Sequence, residues 1–93
     1  MTTYLYAKWK TAPADSPGEF YSELDPARWE TRKVEVFPDG RMGYASAARS
    51  SNNGTRLSII PLPPIEEIAR QIEFDVRQAS ADEFDAAWKR ATA

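Results

Sequence analysis

Carboxylates, hydroxyls, tyrosines and cations are the groups through which this chain could do chemistry, because its 93 residues include no histidine and no cysteine. The first absence removes the commonest general base and the commonest nitrogen ligand for a metal. The second removes thiolate chemistry and disulfides. Acid–base work would need two carboxylates in partnership, and the candidates in the strand-rich half are Glu23, Asp25, Glu30, Glu35 and Asp39. Nothing in their spacing demands such a pair. Asp25 and Asp39 sit in turn signatures, and Glu35 falls on a strand face expected to meet water. The serines and threonines have no histidine to activate them and no Gly-x-Ser-x-Gly elbow. Asn53-Gly54-Thr55 lacks the remaining glycines and the lysine of a phosphate loop, and no calcium-type run of acids appears. The reading is of a protein that is not an enzyme and needs no cofactor or metal.

Tyrosines interleaved with cations carry the remaining signal. Thr2 to Lys10 reads as a strand with Tyr4, Tyr6, Lys8 and Lys10 on one face and Thr3, Leu5, Ala7 and Trp9 on the other, the latter side taken as core. Tyr21, from a second strand over Phe20 to Leu24, and Lys33 and Arg41, from the hairpin that follows, are expected to share the outer face with Tyr4 and Tyr6. Aromatic rings among cations stack on bases in sheet-type RNA binders. Tyrosine and arginine are equally the residue types enriched at protein interfaces. A third arrangement lays a helix on this face and makes the tyrosines core. Arg49 and Arg56, from the polar loop after the hairpin, complete the candidate partner-binding set. Trp9, Trp29 and Trp88 read as packing residues.

The elements that must position these residues centre on the stretch from Trp29 to Ala45. Glu30 to Phe37 is strand-like, and Pro38-Asp39-Gly40 is a turn with a mechanism. Proline presets φ, aspartate bonds its own backbone, and glycine takes the left-handed position. With those three as the loop, Phe37 faces Arg41, Val36 faces Met42 and Val34 faces Tyr44. Val34, Val36, Met42 and Tyr44 then share an inner face, with Lys33, Glu35, Arg41 and Gly43 outside. Asp25-Pro26-Ala27-Arg28 joins the second strand to this hairpin, in a register that sets Phe20 against Val34 inside and Tyr21 against Lys33 outside.

Residues 47 to 55 read as a polar, mobile loop, and Leu57 to Ile60 as a further strand. Pro61, Pro63 and Pro64 then force an extended connection. A helix opens at Pro64 or Ile65, with Ile65, Ile68, Ala69 and Ile72 on its apolar stripe and Glu66 and Glu67 in its first turn. Phe74 to Gln78 alternates as a short edge strand would. Ser80 to Glu83 is a capping box, and Phe84, Ala87, Trp88 and Ala91 stripe the helix after it. These elements predict one α+β domain over residues 1–93, an antiparallel meander of about four to five strands packed with two C-terminal helices.

Composition agrees with a folded core: 42% of residues are hydrophobic and 12% aromatic. Residues 1–60 carry eight basic and seven acidic side chains, a net of +1, and residues 61–93 carry four and seven, a net of −3. That mild asymmetry falls short of a dedicated nucleic-acid footprint. No run approaches the roughly 20 apolar residues of a membrane span, Met1 leads directly into a strand pattern, and the expected setting is cytoplasmic.

The hairpin also carries a resemblance. Tyr21-Ser22-Glu23-Leu24-Asp25, Arg28-Trp29-Glu30, Arg32-Lys33-Val34-Glu35, Phe37 and Asp39-Gly40-Arg41 are similar to a family of small, functionally uncharacterised bacterial proteins. Gly54-Thr55-x-Leu57, Pro61-x-Pro63, Glu66-Glu67-Ile68 and Ser80-Ala81-x-Glu83-Phe84 through Trp88 match its later pattern. The resemblance implies no activity and transfers no site residue. By analogy of size and context it implies an immunity-type or other conflict-system inhibitor. The expectation is thus a module that binds a partner protein, with single-stranded nucleic acid on the tyrosine face as the alternative.

Overall fold

The computed structural model describes residues 1–48 and 54–93. In chain order these form β1 (Thr3–Trp9), β2 (Glu19–Leu24), β3 (Glu30–Val36), β4 (Met42–Ser46), α1 (Ile65–Ala69), β5 (Phe74–Ala79) and α2 (Ala81–Ala91). The strands make one antiparallel sheet in the order β4-β3-β2-β1-β5. The first four are a meander, and β5 returns to lie beside β1. This is the α+β arrangement the sequence predicts. The reading of 47–55 as a mobile loop falls largely on residues outside those described.

The hairpin turn works as its chemistry dictates. Gly40 takes φ +93°, and its N–H donates to the Phe37 carbonyl at 2.9 Å. Asp39 Oδ1 accepts from the Arg41 N–H at 3.0 Å. Val36 accordingly pairs with Met42 and Val34 with Tyr44.

Between β2 and β3 the register departs from expectation. Leu24 pairs with Glu30, as the Asp25–Arg28 loop predicts, but the next rung joins Glu23 to Arg32. Thr31 is therefore a bulged extra residue, held by its hydroxyl donating to Glu23 Oε1 at 2.8 Å. Beyond it every pairing moves by one, so that Tyr21, not Phe20, opposes Val34. Because side chains alternate with a period of two, this one residue carries Val34 and Val36 to the face of Tyr4, Tyr6 and Tyr21.

That face holds the deepest packing. Helix α2 lies on it, capped by Ser80, whose Oγ accepts from the Glu83 N–H at 3.1 Å. Phe84 and Ala87 meet Val34, all fully buried, with Tyr4, Tyr21, Val36, Met42, Trp88 and Ala91 around them. Arg32 fastens the helix to the sheet. Its guanidinium sits 4.8 Å from the Phe84 ring centroid and 5.0 Å from that of Trp88, while donating to Glu23. The Glu83 side chain pairs with Arg77 instead of reaching back to its own cap.

Leu5, Ala7 and Leu24 are buried as expected, but on the opposite face, away from Val34. Leu62 and Ile68 line a groove with Leu5, Ala7, Phe20 and Phe74 there. Leu57 to Ile60 adds no strand. Helix α1 stops at Ala69, a residue before Arg70 caps it, which leaves Ile72 beyond the helix at 86% exposure. A five-residue helix has too few turns to build the predicted stripe.

The Arg32 guanidinium, donating to Glu23 at 2.6 and 2.9 Å, holds that carboxyl below the usual carboxylate range. A depressed carboxyl contributes stability above its unfolded pKa of about 4.3, and this is lost as pH falls through the lower folded value. Glu23→Gln is expected to lower the unfolding free energy by about 1 kcal/mol at neutral pH. Its deficit against the wild type should vanish in urea titrations repeated below that folded value.

Candidate functional site

The structure separates the residues expected to form one binding surface. Tyr4, Tyr6 and Tyr21 do share a face, but it is the face under α2. The Tyr4 ring lies 5.4 Å from that of Phe84 and the Tyr21 ring 5.0 Å from that of Tyr6. The Tyr6 hydroxyl donates to Glu19 at 2.6 Å, beneath the Arg77 guanidinium at 4.5 Å from the ring centroid. Burial first, and Glu19 second, push the Tyr6 phenol well above its ordinary range, and burial raises those of Tyr4 and Tyr21 as well. Lys33 points to the other side of the sheet. Arg41 stays at the hairpin tip, bonded to Asp39 at 2.7 Å and stacked 4.8 Å from the Phe37 ring centroid. Arg56 is exposed, and Arg49 lies outside the described residues. The aromatic–cationic surface therefore does not exist as a unit: the bulge turned its tyrosines inward and its lysine the opposite way.

What the polar side of β3 does instead is grip the chain that follows β4. Thr55 donates to Glu35 at 2.8 Å, and Lys33 Nζ donates to the Arg56 carbonyl at 3.0 Å. The Ser58 N–H donates to Glu30 Oε1 at 2.6 Å, and the Leu62 N–H to the Arg28 carbonyl at 2.8 Å. Arg28 returns two bonds, from Nε to Leu62 O at 2.9 Å and from Nη2 to Pro63 O at 2.7 Å. Glu30, only 7% exposed, is satisfied within this clamp by the Ser22 hydroxyl at 2.8 Å and the Lys33 ammonium at 3.2 Å as well. A carboxylate so fully engaged is a structural anchor. Among the described residues no three acids converge as a metal site would need.

The clamp has an unusual product. Ile59 and Ile60 are 88% and 63% exposed, although the backbone on both sides of them is tied down at Ser58 and Leu62. Trp29, expected to be a packing residue, is 42% exposed and sits between Arg28 and Glu30, the two residues to which that segment is tied. Arg28 itself adopts φ +68°, a left-handed conformation that costs a non-glycine residue about 1 kcal/mol or more. Its two guanidinium bonds and the Asp25 carboxylate, which accepts from the Ala27 and Trp29 N–H groups at 3.0 and 2.9 Å, hold it there.

Tyr21→Ala is expected to lower the melting temperature by several degrees, as loss of a ring from the α2 core requires. Glu30→Ala should leave the helices in place but release the clamp. Amide hydrogen exchange at Ser58 and Leu62 is expected to speed up by at least tenfold, while Val34 stays protected.

Among the described residues no helix is long and apolar enough to cross a membrane. No curated protein and no solved structure matches the chain. A family profile does match, over residues 3–93, and it covers the bulge, the clamp and both helices. The chain belongs to the family described as a domain of unknown function, DUF6881.

Proposed function

We propose that this chain is a non-catalytic module that binds a partner protein through Ile59 and Ile60. The observation that carries this is the exposure of two isoleucines on a backbone clamped at both ends. Exposed aliphatic residues on a slack loop can fold away from water, whereas these are held outward. Covering one such side chain is worth about 1.5–3 kcal/mol, so the two isoleucines can anchor an interface. Because the segment is already ordered, little conformational entropy remains to be lost on binding. Such a module acts by covering a partner's site, as an immunity-type inhibitor in a bacterial cytoplasm would, and needs no reactive group of its own.

Single-stranded nucleic acid is the weaker reading. Its support was an open face of tyrosines and cations, and the rings of that face now pack under α2. The cations nearest them, Arg32 and Arg77, are bonded to Glu23 and Glu83.

The test is affinity capture from the native host with the wild type and with an Ile59→Ser/Ile60→Ser double variant. The expected result is a specific protein partner bound at least tenfold more weakly by the variant, with a melting temperature unchanged within about a degree, since exposed substitutions shift stability by roughly 0.5 kcal/mol or less. A partner held equally well by both chains would place the interface elsewhere.

A further inference from the structure

Strand β5 ends the sheet, and among the described residues only β1 pairs with it. Which of its backbone groups face outward follows from one bond. The Lys10 N–H donates to the Glu73 carbonyl at 2.8 Å, continuing the register in which Trp9 opposes Phe74. Directly opposed residues joined in this way are a hydrogen-bonded pair, and such pairs alternate along an antiparallel ladder. Asp75, Arg77 and Ala79 therefore turn their backbone groups toward β1. Phe74, Val76 and Gln78 turn theirs outward. The Phe74 N–H is already taken by the Gln71 carbonyl at 3.0 Å. The open row is thus the Val76 N–H and carbonyl, the Gln78 N–H and the Phe74 carbonyl.

We propose that this row pairs with the same row of a second copy of this chain, antiparallel and centred on Val76, so that two sheets become one across a twofold axis. Charge selects both the occupant and the register. In a twofold antiparallel pair, opposed residues lie on the same face and the axis passes through one residue of each copy. Centring on Asp75 or on Arg77 sets that charge against its own copy, which is unfavourable. Centring on Val76 sets Asp75 of each copy against Arg77 of the other. These are the non-hydrogen-bonded positions, where side chains approach most closely. Both side chains are reachable, at 67% and 52% exposure. Each already holds an opposite charge in its own chain, Asp75 with Lys10 at 3.3 Å and Arg77 with Glu83. Pairing therefore builds an alternating row of Lys10, Asp75, Arg77 and Glu83 across the junction. At its centre the two Val76 residues exchange both backbone bonds, and each Gln78 N–H meets the Phe74 carbonyl of the other copy. The same charges discourage an unrelated strand from adding to this edge. The contact uses neither Ile59 nor Ile60 and stands independently of them.

Sedimentation equilibrium of the full chain from micromolar to millimolar concentration tests this. The mass is expected to rise from 10.5 kDa toward twice that value. Val76→Pro removes the central outward N–H without taking a bond from β1, so the variant should keep its circular dichroism and remain monomeric. Asp75→Lys and Arg77→Glu should each be monomeric alone, because each sets like charges opposite. Mixed in equal amounts they should form a heterodimer, in which each charge at positions 75 and 77 meets its opposite across the junction, even though each variant loses its own-chain ion pair with Lys10 or Glu83. A wild type that stays at the single-chain mass at millimolar concentration overturns the proposal. So does a wild-type dimer that Val76→Pro leaves intact, or a charge-variant mixture that stays monomeric while the wild type dimerises. If Val76→Pro does not fold, the mixture of charge variants decides alone.

Discussion

Thr31 lets Leu24 oppose Glu30 and Glu23 oppose Arg32 in adjacent rungs, and both faces of the sheet take their character from that extra residue. Without it, Val34 would share a face with Phe20 and Leu5, and the tyrosines would look outward beside Lys33. With it, Val34 and Val36 join Tyr4 and Tyr21 under α2, and Glu30, Lys33 and Glu35 are delivered together to the opposite side. A strand with a period of two permits no intermediate outcome. The bulge is secured locally, because the Thr31 hydroxyl and the Arg32 guanidinium both bond the Glu23 carboxylate across it.

The two faces are then held by different physics. Under α2, apolar and aromatic burial contributes most, with Phe84 and Val34 removed entirely from water, each worth about 1.5–3 kcal/mol. Arg32 links the layers through its ring contacts and its ion pair. On the far side Leu5, Ala7, Leu24 and Ala45 are buried, and hydrogen bonds accepted by Glu30 and Glu35 and donated by Lys33 and Arg28 fix the returning segment. Each such bond contributes about 0.5–1.5 kcal/mol net, but losing one partner would leave a buried charge unsatisfied. The asymmetry explains why a charged triad on β3 coexists with a well-formed sheet. It also explains how Ile59 and Ile60 can stay in water: the segment that carries them is bound through the Thr55 hydroxyl and the backbone at Arg56, Ser58 and Leu62, not through the isoleucine side chains.

Tyr4 and Tyr21 are absorbed into packing beneath α2, and Glu30 and Glu35 into the clamp. Ile59 and Ile60 and the outward edge of β5 are presented to solvent. Both suit recognition by shape, apolar contact and charge register.

Local chemistry by itself determined much of this protein. The Pro38-Asp39-Gly40 turn, the β3–β4 register, the Ser80 cap and the α2 stripe were all legible, because each depends on residues within a few positions of one another. The α+β class followed from those elements. Tertiary structure alone decided which face of β2 and β1 accompanies Val34, since a bulge without glycine or proline leaves no local mark on Glu30-Thr31-Arg32. It also decided the end of α1 at Ala69 and the exposure of Ile72, Ile59 and Ile60. Apolar spacing shows which side chains could be buried together. Whether a partner surface exists to bury them is settled only when the distant segments meet, and here the clamp on β3 claimed the backbone of that segment and left its isoleucines outside.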